Sequence, residues 1–110
     1  MQRSWKSSRL IKTDSAGTIA DGIAVRNPVP AALEILSDAV DEMLLVSESD
    51  IKAAMQLLDR IEGLVTEPAG AVSLAGALLS TEEVAESTVA VLICGSNIDP
   101  EMRNRWLSAR

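Results

Sequence analysis

Three places in the chain carry side chains whose types and spacing could do chemistry. In "SWKSSR" (residues 4–9), Lys6 lies among serines, a setting that suggests an amine nucleophile. An activated lysine needs burial or a neighbouring cation to lower its pKa. Lys6 sits in a polar arm without such surroundings, and Lys12 and Lys52 read as equally solvated. Glu67 precedes Pro68 and a run of small residues. It reads either as a carboxylate on a binding face or as a first-turn anion held by the helix dipole. "VAVLICGSNID" (89–99) ends an apolar run on Cys94, then breaks into Gly95, Ser96 and Asn97. Either Cys94 is a core thiol at a strand end, or "CGSN" is a polar tip or backbone nest aimed at a ligand. Both readings stay open on the residues alone. No nucleophile and base can be assembled from these positions.

Composition narrows the classes. The chain has 110 residues, enough for one domain with one modest core. Apolar residues make up 47% with two Trp and no Phe or Tyr, so the core must be built from Ala, Val, Leu, Ile and Met. Ten basic residues face sixteen acidic ones, a net charge of −6 and the reverse of a nucleic-acid surface. Arg3, Lys6, Arg9 and Lys12 read as a solvated basic arm over residues 1–17. One cysteine excludes an internal disulfide, and zero histidines remove the commonest general base and metal ligand. No apolar run reaches membrane-span length and the N-terminus lacks a signal-peptide core. The expectation is a soluble cytoplasmic chain with no metal, no nucleic acid and no membrane partner.

The elements that must position these residues alternate. "TIADGIAV" (18–25) reads as a strand interrupted by Asp21-Gly22, where the backbone comes close to something. "NPVP" (27–30) prepares a helix over 31–40 with Ala32, Leu33, Leu36 and Val40 on one face. Residues 43–47 read as a strand, and Ser47 with Asp50 is a variant capping box. The next helix carries Ile51, Met55, Leu58 and Ile61 as its buried stripe and stops at Gly63. Residues 64–66 form a brief strand, and Pro68 suits the first turn of a helix over 69–79. Its Gly70 and Gly76 make sense where another backbone or a ligand comes very close. Residues 80–87 are a polar connection, 88–94 a strand, and Asp99-Pro100 opens a last helix over 100–108. This order predicts an α/β unit over 18–110, a partial parallel sheet flanked by helices. Ligands of such sheets bind beyond the strands' carboxyl ends, where Gly22, Glu67 and Cys94 fall.

Read together, "TIADGIAV", "VDEMLLVSESDIKAAM", "EPAGAVSLAGALL" and "VAVLICGSNID" resemble the pyridoxal-phosphate-dependent threonine dehydratase and serine racemase family, of fold-type II. The resemblance covers nearly all of residues 13–100. It implies the C-terminal part of the large, cofactor-binding domain. It further implies that Cys94, where the family usually has Ser, lies within hydrogen-bond reach of the pyridine nitrogen. Gly22 would line the ring, Glu67 would stand near the ring edge, and Gly95 would accompany Cys94 at the cofactor.

Departures from the family pattern carry equal weight. The family's Schiff-base lysine lies near its N-terminus in a Ser-aromatic-Lys-x-Arg pattern. "SWKSSR" imitates this just before "TIADG", where the family has a connecting segment, so Lys6 is not the cofactor lysine. The glycine-rich phosphate loop, the divalent-cation site and the small substrate domain precede this region in the family and have no counterpart in these residues. Ser96 replaces a glycine of the family's Gly-Gly-Asn loop. The parent reaction converts a hydroxy-amino acid to a 2-oxo acid and ammonia. The expectation is a chain inactive alone that exposes apolar surface and pairs with an N-terminal part or with itself. The alternative is a non-catalytic remnant or interaction module.

Overall fold

A computed structural model of the chain describes residues 1–107. In chain order the elements are α1 (Gln2–Ser7), a 3-10 turn (Asp21–Ile23), α2 (Pro30–Ala39), α3 (Glu48–Leu57) continued by a π turn (Leu58–Glu62), α4 (Pro68–Leu79) and α5 (Pro100–Leu107). They fall into two units. The first holds residues 1–18 and 23–45, the second residues 19–22 and the chain from Val46 onward.

In the first unit the basic stretch is not an extended arm. Residues Gln2–Ser7 are helical and Ser4 is buried. The Ser4 hydroxyl accepts from Ile11 N–H at 3.0 Å, which turns the chain back after α1. The Trp5 indole N–H donates to the Leu36 carbonyl of α2 at 3.1 Å. Pro30 opens α2 at its first turn as the sequence indicates, and Leu33 is its buried contact.

The second unit is built on α3 and α4, which pack against each other. Ile51, Ala54, Met55 and Leu58 meet Ala71 and Ala75 in one core that also includes Ala20 and Leu107. Ile51, Met55 and Leu58 follow the expected stripe, but Ile61 is 64% exposed. The reason is the π turn over Leu58–Glu62: its i→i+5 spacing rotates Ile61 off the face that a continuous α-helix would give it. Gly63 ends this turn in the left-handed conformation at φ 64°, the expected stop. On α3, the Lys52 ammonium lies 5.4 Å from the Trp106 ring centre. The Gln56 amide donates to the Trp106 carbonyl at 2.8 Å, fastening α5.

The capping box at the start of α3 is formed in both directions. Ser47 Oγ accepts from Asp50 N–H at 3.2 Å, and the Asp50 carboxylate accepts from Ser47 N–H at 3.0 Å. Hydrogen bonds from the Ser47 side chain, then from its backbone, lower the Asp50 pKa below its ordinary 3.8. A carboxylate depressed in the folded state stabilises above its unfolded pKa and loses that contribution as pH falls through the folded one. Wild type should therefore exceed Asp50→Asn in denaturant midpoint at about pH 6, with the gap narrowing as pH falls below Asp50's ordinary 3.8. A gap that does not narrow would refute the assignment.

The sheet is the main correction. Among the described residues no strand forms at 18–25, 43–47, 64–66 or 88–94. A parallel strand reads as a continuous apolar run because it is covered on both faces and paired on its sides. Residues 88–94 keep the composition without the cover: Val89 is exposed and Leu92 is 77% exposed. Leu45 and Leu64, at the other expected strands, are exposed as well. The apolar surface expected for this chain is therefore present. Its pattern is that of strands whose lateral partners are not among these residues.

Candidate functional site

All four positions singled out from the sequence as cofactor contacts lie in the second unit, around the start of α4. Pro68 and the φ/ψ of Glu67 (−72°, 161°) make Glu67 the residue before the first helical turn. Its side chain makes no capping hydrogen bond to the helix end. Its carboxyl group lies against Gly95 instead. A Cβ built on Gly95 would stand 2.6 Å from Glu67 Cδ and Oε1. Glu67 N–H donates to the Gly95 carbonyl at 3.1 Å, locking the two residues together.

Gly22 joins the same cluster. A Cβ there would meet Ala69 Cβ at 3.1 Å and Glu67 Oε1 at 3.5 Å. Two contacts hold this segment on the α3–α4 core: Ala20 is buried in it, and Ile19 N–H donates to the carboxylate of Glu48 at the start of α3, at 3.0 Å. Gly95 adopts φ 83°, a conformation that glycine takes without strain. Cys94 is a free, exposed thiol and not part of the core. The structure thus brings Gly22, Glu67 and Gly95 together and leaves Cys94 open beside them.

Three positions spaced by three residues, Glu67 just before α4 and Gly70 and Ser73 within it, hold the chain around Cys94. Glu67 N–H binds the Gly95 carbonyl, and the Ser73 hydroxyl donates to the Leu92 carbonyl. Between them Gly70 carries the Cys94 carbonyl so closely that any Cβ would overlap it. The expectation of a close backbone approach at the α4 glycines holds for Gly70. At Gly76 no other backbone comes close: an added Cβ would meet nothing within 4 Å among the described residues.

A cleft of about 440 Å³ adjoins the cluster, lined by Asp21, Glu67, Asn97, Asp99 and Met102 among others. Of the expected site residues only Glu67 lines it. Sequence reasoning treated Asp99 as a helix cap, and it is one: its Oδ1 accepts from Glu101 N–H at 2.8 Å. The signal for a second role was the "SNID" run that follows Cys94, where Asn97 and Asp99 alternate with Ser96 and Ile98. Thr66, next to Glu67, is buried and its hydroxyl has no hydrogen-bond partner. Lys6 is exposed in α1 of the first unit.

The residues present fit a flat heteroaromatic ring with a nitrogen at its edge. Gly22 and Gly95 are both exposed and bring no side-chain bulk. One thiol is available as a weak neutral donor or acceptor and one carboxylate stands alongside. Among the described residues no group of three His, Cys, Asp or Glu side chains is placed to hold a metal ion. No helix among them is long and apolar enough to cross a membrane.

The profile of the family described as "Pyridoxal-phosphate dependent enzyme" matches residues 1–95, and the chain belongs to that family. Pyridoxal phosphate is the cofactor this membership implies. Within the family the chain falls among the threonine dehydratases and serine racemases. It is 38% identical over 108 residues to the L-threonine ammonia-lyase of Thermotoga maritima, covering 98% of this chain and 27% of that protein. It superposes on a T.th. threonine deaminase with a TM-score of 0.82 and 31% identity, over 89% of this chain and 33% of that one. Maize serine racemase gives the same TM-score of 0.82 at 27% identity, over 94% of this chain and 34% of that one. The chain thus spans about a quarter to a third of the length of these relatives. The basic stretch of residues 1–12, outside the blocks that carry the resemblance, lies within the match.

Proposed function

We propose that this chain forms the ring-facing wall of a pyridoxal-phosphate site in an ammonia-lyase of the threonine and serine type. The observation that carries the reading is the cluster of Gly22, Glu67 and Gly95 beside an exposed Cys94, on residues separated by up to 73 positions in sequence (22 to 95). The cofactor supplies the electron sink for cleavage of a hydroxy-amino acid to a 2-oxo acid and ammonia. In this chain Cys94 offers its thiol to the pyridine nitrogen, a neutral partner that leaves that nitrogen largely unprotonated. Gly22 and Gly95 add no side chain of their own beside the ring, and Glu67, which lies over Gly95, places a carboxylate at its edge.

The lysine that anchors the cofactor and the glycine-rich phosphate loop have no counterpart among these 110 residues, and a complete site needs both. The chain alone releases no ammonia from threonine. Incubation with pyridoxal phosphate, borohydride reduction and peptide mapping should give no stoichiometric label at any one lysine. Such a label together with ammonia release would overturn the proposal. The ring contact has its own test: with a polypeptide carrying the lysine and the phosphate loop present, pyridoxal phosphate should slow alkylation of Cys94 by iodoacetamide where inorganic phosphate does not. Equal alkylation rates refute the contact.

A second reading, a non-catalytic interaction module that needs a partner chain, draws on the exposed Leu45, Leu64, Val89 and Leu92. Apolar surface of this kind marks an interface. The two readings separate on ammonia release after mixing with a polypeptide that carries the lysine and the phosphate loop.

A further inference from the structure

We infer that Ser73 is a positioning residue for Cys94. It touches no part of the site itself. Its hydroxyl on α4 donates to the carbonyl of Leu92, two residues before the thiol. Downstream of the thiol, Glu67 N–H holds the Gly95 carbonyl at 3.1 Å, and at the thiol itself the Cys94 carbonyl rests on Gly70. Positions 67, 70 and 73 recur every three residues along one helix face. They bind the chain at 95, 94 and 92, so the segment runs antiparallel to α4 and is held on both sides of Cys94. No strand ladder fixes residues 88–94 among the described residues, and Leu92 and Cys94 are both exposed. The helix contacts help set where the thiol points, and before it Ser73 adds a hydrogen bond to the packing of Ile93 against the core.

The consequence for binding follows from geometry. With the Leu92 carbonyl released, the chain loses one of its holds on α4, the Glu67–Gly95 bond opens more often, and the thiol samples more directions. A ring nitrogen then finds its partner in place for a smaller fraction of the time, and apparent affinity drops by that fraction. This inference rests on the cofactor reading of Cys94, so its test reads the latch and the ligand separately.

Ser73→Thr and Ser73→Val have the same shape and differ in the hydroxyl, so both are made in the full chain. Amide hydrogen exchange at Glu67 reports how long Gly95 stays in place. Exchange should rise about fivefold in the Val variant, the effect of one lost hydrogen bond, and stay near wild type in the Thr variant. Gly76→Ala, on the same helix with open space around it, should leave Glu67 exchange unchanged. The second readout, with the polypeptide carrying the lysine and the phosphate loop present, is the concentration of pyridoxal phosphate that halves the rate of Cys94 alkylation by iodoacetamide. It should rise severalfold for Val and not for Thr. Equal exchange in the Val and Thr variants overturns the latch. Different exchange with equal shielding overturns the positioning role. Different exchange with no shielding in any protein, wild type included, overturns the cofactor reading of Cys94 and upholds the latch.

Discussion

Gly70→Ala is expected to push the chain around Cys94 off α4 and to lower stability by about 3 kcal/mol, the top of the range for overpacking. The cause is steric. A Cβ on Gly70 would overlap the Cys94 carbonyl oxygen and stand 2.9 Å from the Gly95 carbonyl oxygen. Both are backbone atoms, held by the Glu67 and Ser73 hydrogen bonds, so neither can yield by a rotamer change. The helix itself favours alanine by about 1 kcal/mol, which the clash exceeds. At roughly 4–8 °C per kcal/mol, the melting temperature should fall by more than about 10 °C. Gly76→Ala is the internal comparison. Its Cβ would meet nothing within 4 Å, so only the helix preference acts and stability should rise by about 0.5–1 kcal/mol. Thermal melts of the two variants check the pair. A Gly70→Ala protein that melts with wild type would refute the close approach, and Cys94 would then owe its position to other contacts.

What could be read from the sequence divides along a physical line. Features decided within a few residues were legible. Ser47 and Asp50 announce the cap of α3, Pro30 and Pro68 open α2 and α4, and Gly63 closes the π turn at φ 64°. The stripe of Ile51, Met55 and Leu58 was legible for the same reason, since helical periodicity is local. Ile61 was not, because the switch from α to π turn has no periodic signature in "LDRIE". The strands expected at 18–25, 43–47, 64–66 and 88–94 do not form among the described residues, for a different reason. The apolar runs at 43–47 and 88–94 have strand composition, but a strand exists only through pairing with a neighbour. That neighbour is a long-range property, and among the described residues it is missing.

The candidate site follows the same division. Gly22, Glu67, Cys94 and Gly95 were picked for residue type and for the family blocks around them. The structure adds that Glu67 lies over Gly95 and beside Gly22. Nothing local in "EPAG" says that the carboxylate turns away from its own helix. The role of Ser73 was hidden more deeply. A serine inside a small-residue helix reads as packing until the Leu92 carbonyl is found on its hydroxyl.

Gly95→Ala is expected to displace the Glu67 carboxylate, and the displacement is measurable as a coupling between the two positions. Two penalties act at Gly95. Its φ of 83° lies where alanine is strained by about 1–2 kcal/mol. The new Cβ would also sit 2.6 Å from Glu67 Cδ and Oε1 and 3.0 Å from Cγ. Unlike the carbonyls facing Gly70, these atoms belong to a flexible side chain, so Glu67 swings aside and gives up its place near Gly22. The backbone penalty does not depend on Glu67, whereas the contact penalty vanishes once that side chain is truncated. A double-mutant cycle with Glu67→Ala therefore separates them. Gly95→Ala should destabilise the Glu67→Ala background by the backbone term alone and the wild-type background by more. The interaction energy should fall between about 0.5 and 3 kcal/mol, the range for residues in contact. If the two substitutions add, Glu67 does not occupy the space over Gly95. The shared face of Gly22, Glu67 and Gly95 would then be lost, and with it the observation on which the cofactor wall rests. If they couple while pyridoxal phosphate ceases to shield Cys94 in Gly95→Ala, the carboxylate and the thiol act on one ring from two sides of the same glycine.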